Sequence, residues 1–128
     1  MIVTDCSAMV HALTVPASPF LDAFATADSI HAPHLLDYEV TSALRGLVLG
    51  KKVDETTAHT ARADFRAMPI TRYPMAGLDE RVWELRTNFN PYDASYIVLA
   101  EALGCPLLTF DAKLLAPRLH DAEVRKLV

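Results

Sequence analysis

The chain has 128 residues, 52% of them hydrophobic and 22% charged, with a formal net charge of −4 at pH 7. This composition suits one globular domain spanning 1–128; it excludes a disordered chain and a protein held to nucleic acid by a dense basic surface. The longest uncharged stretch, Cys6 to Leu21, contains His11, Pro16 and Pro19, so it falls short of the ~20 apolar residues of a spanning helix.

Met1 to Thr4 is a short apolar run that suits a buried strand and ends at Asp5. Cys6 to Leu13 follows as a helical segment, and Pro19 starts a second short helix through Ala27. Ser29 to Ala32 is a weak strand candidate stopped by Pro33. Leu35 to Leu49 is a helix with Leu36, Val40, Ala43 and Leu47 on one face, closed by Gly50. Asp54 caps the next helix, which runs to about Met68 before Pro69. Ile70 to Met75 reads as an edge strand because of Pro74. Leu78 to Phe89 is helical with Leu78, Val82 and Leu85 inward. Asn90 and Pro91 start an almost wholly apolar helix that runs to Leu103 and stops at Gly104. Pro106 to Phe110 is a second apolar strand ending in an acid, Asp111. A short helix (Ala112 to Ala116) and a last strand within Glu123 to Val128 complete the chain. Strands alternating with helices imply an α/β fold with a mostly parallel sheet.

Charge is uneven along the chain. Residues 1–44 carry five acids and no Lys or Arg, whereas residues 45–72 carry six bases against three acids. Such a surplus can steer an anion, although solvated helix faces explain it as well. Cys6 and Cys105 lie in apolar surroundings with no C-x-x-C, so both read as core residues. No basic segment precedes an apolar one at the start of the chain, so no signal peptide is expected and a cytoplasmic location is.

Two strand-to-helix junctions carry an Asp at the strand's carboxyl end: Asp5 and Asp111. In open α/β sheets ligands bind at that edge, but Asp is also among the best helix caps, and for either residue alone the two readings weigh equally. Glu39 sits at the border of the apolar face of its helix, where a solvent-edge glutamate is the plainer reading. Asp93, in the first turn of the apolar helix, forms an Asn90-x-x-Asp93 pattern that resembles a capping box. An acid entering a buried helix needs a partner, and a metal ion is one. Gly46-x-x-x-Gly50-Lys51-Lys52 falls short of a phosphate-binding loop, and Ser7 has no evident base partner. Hydride, acyl-transfer and zinc chemistries are therefore poorly supported. Clustered, Asp5, Glu39, Asp93 and Asp111 would need a hard cation such as Mg²⁺ or Mn²⁺, and such a site suits phosphodiester hydrolysis.

Three segments carry a family resemblance across the whole chain: Ile2 to Ala8, Pro33 to Arg45, and the most specific run, Tyr92 to Glu101 followed by Leu103 to Asp111. They resemble the PIN-domain ribonucleases, specifically the VapC-type toxins of bacterial toxin–antitoxin pairs. The resemblance implies a PIN-like three-layer sandwich, a central sheet flanked by helices. It implies an Mg²⁺- or Mn²⁺-dependent endoribonuclease that acts on an RNA substrate, forms a homodimer and is inhibited by a cognate antitoxin. Asp5 and Asp93 correspond to direct metal ligands, and Glu39 and Asp111 to residues that complete the shell, hold a second ion or orient the attacking water. Thr109 and Ser7 are supporting residues. Arg45, Lys51 and Lys52 are candidates for RNA or partner contact. Cys6 stands where the family commonly has Thr or Ser. Two other readings remain open from the residues: a non-catalytic PIN-like binding module, and a receiver-like phosphoacceptor domain. The second lacks the early acidic pair and a Lys at a late strand end.

Overall fold

Two apolar runs and three mixed segments become the strands of the sheet. In the computed structural model, which describes residues 1–115 and 120–128, they are β1 (Ile2–Thr4), β2 (Ile30–Pro33), β3 (Ile70–Tyr73), β4 (Leu107–Thr109) and β5 (Val124–Lys126). They form one sheet in the order β3-β2-β1-β4-β5, and every pairing is parallel. The central strands β2 and β4 are buried along their length, as strands covered on both faces must be, while β3 and β5 form the half-exposed edges.

The helices are α1 (Cys6–Thr14), α2 (Pro19–Thr26), α3 (Leu35–Leu49), α4 (Glu55–Ala67), α5 (Asp79–Glu84) and α6 (Pro91–Leu103). Parallel strands require crossovers, and crossovers are right-handed. The chain steps one way from β1 to β3 and then returns past β1 to β4, so the first four helices and the last two fall on opposite faces. The core is filled by Val3, Met9, Phe20, Leu36, Leu85, Tyr96, Ile97, Leu99, Leu107 and Leu114. No helix among the described residues is long and apolar enough to cross a membrane.

Several expectations shift in detail. The Leu78–Phe89 helix is only Asp79–Glu84, followed by turns in which Arg86 N–H donates to the Trp83 carbonyl and Asn88 N–H to that of Leu85. Asn90 must be extended because it precedes a proline, so the helical path ends ahead of it, and Leu85 and Phe89 are both buried in the core. On α3 the buried row is Leu36, Val40 and Leu44; Ala43 and Leu47 are half-buried and face a cleft instead. The helix placed at Ala112 to Ala116 is a 3-10 turn over Ala112–Leu115, with Ala116 outside the described residues. Gly104 ends α6 in the left-handed conformation (φ 63°), which lets its N–H close the helix on the Ala100 and Glu101 carbonyls.

The two helices of the second layer are clamped by charge. Arg81 Nε and Nη2 on α5 each donate to Glu101 on α6 at 3.0 Å, and the Asp121 N–H donates to the same carboxylate at 2.7 Å, fixing the approach to β5. Burial pushes the Glu101 carboxyl up, but the Arg81 guanidinium and the Asp121 N–H outweigh it and hold the group below its ordinary value. A depressed carboxylate adds stability that is present above its unfolded-state value near pH ~4.3 and is lost as pH falls through the lower folded value. Glu101→Gln is expected to cost about 1–2 kcal/mol at pH 7, with less difference from wild type in strong acid. Thermal melts at the two pH values measure this.

Candidate active site

The strand order reverses between β1 and β4, and their carboxyl ends diverge there into helices on opposite sides of the chain's path. Such a switch point opens a crevice by geometry alone. The cleft found there, of about 610 Å³, is lined by all four predicted acids: Asp5 after β1, Glu39 on α3, Asp93 on α6 and Asp111 after β4. Val10, Val15, Ala43, Leu47 and Phe110 make its apolar wall, and among the described residues no Lys or Arg lines it.

Asp5 is a helix cap that also faces the cleft. It is the N-cap of α1, accepting the Ala8 N–H at 2.9 Å on Oδ1, and it is also one of the acids of the cleft. Ser7 Oγ donates to the same oxygen at 2.7 Å, and Thr109 Oγ1 donates to Oδ2 at 2.5 Å. Ser7 and Thr109 lie 3.2 Å apart and bridge the strand ends. Ser7 accepts the Phe110 N–H at 2.8 Å, and Thr109 accepts the Asp111 N–H at 2.9 Å. These two hydroxyls therefore hold the Asp5 carboxylate and the Phe110–Asp111 backbone together.

Asn90 caps α6 by accepting the Asp93 N–H at 2.8 Å, but among the described residues no protein group donates to the Asp93 carboxylate, so the capping box is only half formed. That carboxylate is left for the cleft. Glu39 accepts from the Tyr96 hydroxyl at 2.5 Å. Tyr96 was not singled out from the sequence, although its place three residues after Asp93 on one helix face was the available signal. Lys113 is a second addition: its ammonium lies 3.6 Å from Asp111, and its charge also reaches Asp93.

The carboxyls feel one another. Burial pushes Asp5 up, against the lowering effect of Thr109, Ala8 and Ser7, and the charge of Asp111 adds to the rise. Burial also raises Glu39 and Asp93; Asp93 repels Glu39, and Asp111 repels Asp93. Burial and the charges of Glu39 and Asp5 push the Cys6 thiol up to about 12, so Cys6 is a protonated spectator. Among the described residues no three His, Cys, Asp or Glu side chains are drawn into a ready-made metal shell. The donor set still fits a hard cation: four oxygen-bearing acids share one cleft, they repel in pairs, and among the described residues no protein group donates to Asp93.

The predicted basic contacts are not in the cleft. Arg45 lines a separate groove between α3 and α4 with Glu55, His59 and Arg62, while Lys51 and Lys52 are exposed in the turn that follows α3. Helical spacing explains this, since the cleft side of α3 is the row of Glu39, Ala43, Gly46 and Leu47.

Comparison with known proteins agrees with this geometry. The sequence pattern of the PIN domain family matches residues 2–118. A VapC ribonuclease of Mycobacterium bovis is 42% identical over 114 residues, covering 89% of this chain and 88% of that protein. Ribonuclease VapC12 of Mycobacterium tuberculosis is 34% identical over 125 residues and 97% of each chain. Among solved structures, VapBC2 from Rickettsia felis, bound to a DNA fragment from its promoter, shares the fold with a TM-score of 0.71 at 15% identity, covering 98% of each chain. The family pattern, the identities over most of both chains and the acid-lined crevice at the β1/β4 switch point agree: the chain belongs to the PIN domain family and, within it, to the VapC-type members.

Proposed function

We propose that this chain is a metal-dependent endoribonuclease acting as the toxin of a type II toxin–antitoxin pair. The observation that carries the proposal is the convergence of Asp5, Glu39, Asp93 and Asp111 on one cleft. The relatives named as VapC ribonucleases support RNA as the substrate class, and the VapBC assembly of the Rickettsia felis relative supports a protein antitoxin as partner. A non-catalytic binding module would have no need of four mutually repelling acids, and a receiver-like domain would have no need of Glu39 or its Tyr96 partner.

Asp5 and Asp93 would hold Mg²⁺ or Mn²⁺, with Glu39 and Asp111 completing the shell, holding a second ion or orienting water. A bound divalent ion lowers the pKa of a water and neutralises charge on the phosphate. Thr109 and Ser7 keep the Asp5 carboxylate fixed, and the Tyr96 hydroxyl keeps Glu39 turned into the cleft. We further propose that residues 1–128 act as one PIN-like domain in the cytoplasm.

The test is RNA cleavage with and without Mg²⁺ or Mn²⁺. Chelation is expected to abolish it. Because water and not the RNA 2′-hydroxyl attacks, no 2′,3′-cyclic phosphate is expected as the primary product, and its detection would overturn the metal mechanism. The active form is proposed to be a homodimer, consistent with the 64% exposure of Leu49 beside half-buried Val53 at the end of α3. Light scattering at micromolar concentration is expected to give at least a dimer mass; a monomer would contradict it.

A further inference from the structure

Phe110 occupies the link between β4 and Asp111 and lines the cleft, yet it is 41% exposed. Its position is fixed on every side. The backbone N–H donates to Ser7, and the next N–H, that of Asp111, donates to Thr109. The ring rests on His11 with centroids 4.7 Å apart and on the edge of buried Phe20 at 6.4 Å. His11 is itself held, its Nδ1 lying 2.7 Å from the buried Ser18 hydroxyl. The Lys126 ammonium, on β5, lies 4.9 Å from the centre of the Phe110 ring and also donates to the Val128 carbonyl.

A part-exposed aromatic ring held by its neighbours, with a cation over it, offers one partner to each half of a nucleotide. Any base can stack on a ring, and stacking of this kind is indifferent to sequence but needs the base to be unpaired. A cation at this place also meets a need of the cleft, whose charged lining is acidic and would repel a phosphate backbone. We propose that Phe110 and Lys126 form a nucleotide subsite beside Asp111. An unpaired base of single-stranded RNA stacks on Phe110, and Lys126 leaves the ring to pair with that nucleotide's phosphate. This deepens the ribonuclease reading and rests on it. The ring takes an unpaired base only, because a base inside a duplex cannot reach it.

Steady-state cleavage of a single-stranded oligoribonucleotide tests the subsite. Phe110→Leu is expected to raise KM about ten-fold, the scale of one base–aromatic stack, with kcat within about two-fold. Phe110→Tyr restores KM, which a purely packing role would not require. Lys126→Met is expected to raise KM and to lower the slope of log KM against log salt by about 0.7, the value of one single-strand phosphate contact. A second measurement needs no turnover. In a Trp83→Phe, Phe110→Trp protein the single indole reports directly on the subsite. A twelve-nucleotide RNA is expected to quench it, and an abasic ribose-phosphate oligomer of equal length is not. Equal responses to the two oligomers, or an unchanged KM in Phe110→Leu beside an active wild type, overturns the subsite alone. A wild type that leaves RNA intact under Mg²⁺ and Mn²⁺ overturns the ribonuclease reading as well.

Discussion

Asp5→Asn is expected to leave the protein folded and to remove most of its activity. Asn caps a helix about as well as Asp, and its Oδ1 can keep the Ala8 N–H and the Ser7 hydroxyl. Its amide can donate to Thr109, whose hydroxyl then turns toward Ser7, 3.2 Å away. No buried polar atom is stranded. The substitution also removes a carboxylate that burial and Asp111 both disfavour in its charged form. The metal-free variant should therefore melt at or slightly above the wild-type temperature. The response to Mg²⁺ should differ. At ten times its dissociation constant a ligand stabilises by roughly 1.4 kcal/mol, and that increment should be lost. Activity should fall by about 10²–10³-fold, the scale of removing one preorganised electrostatic group. Melts of both proteins with and without Mg²⁺, read beside their cleavage rates, decide the matter. Equal responses to Mg²⁺ would mean that Asp5 is only a cap.

Thr109→Val tests the hydroxyl pair that ties the two strand ends together. The residue is wholly buried at the end of β4, so the isosteric valine fits without a cavity. What changes is polar. Asp5 Oδ2 loses its 2.5 Å donor, and the Asp111 N–H loses its acceptor. Leaving such groups unpaired costs about 1–3 kcal/mol. Both carboxylates also lose their positioning, for which a ~10–100-fold fall in activity is expected by analogy with partners that orient metal ligands. Thr109→Ser keeps the hydroxyl and should restore activity while giving back less stability, because it lacks the methyl group. A valine variant with wild-type cleavage would show that Thr109 serves packing alone.

The parts of the fold governed by local chemistry were legible in the sequence. Pro19, Pro91, Gly50 and Gly104 mark helix ends because a missing N–H or a permitted positive φ acts within a few residues. The runs Met1–Thr4 and Pro106–Phe110, each followed by an Asp, announced two neighbouring strands of the sheet, β1 and β4, and the edge where a site would form. The four acids could be named because three segments carry a family resemblance, although the local pattern of each also suited a cap or a solvent-edge residue. Where patterns were ambiguous, packing decided. Ala43 and Leu47 share their helical row with core residues, yet they face the cleft because α3 lies at the rim of the switch point. The helix expected to reach Phe89 stops at Glu84 and gives way to turns ahead of Asn90, which is extended because Pro91 follows it.

What the sequence by itself determined was the alternation of strands and helices, the caps and breakers, and the identity of the acids. Only the tertiary structure decided that residues 5, 39, 93 and 111 share one cleft, that Tyr96 holds Glu39, that Ser7 and Thr109 join the ends of β1 and β4, and that Arg81 clamps Glu101. Those hydrogen-bonded contacts join residues 20 to 102 positions apart. They follow from the order β3-β2-β1-β4-β5, which the handedness of the crossovers and burial on both sheet faces select together, and local spacing along the chain carries no record of that choice.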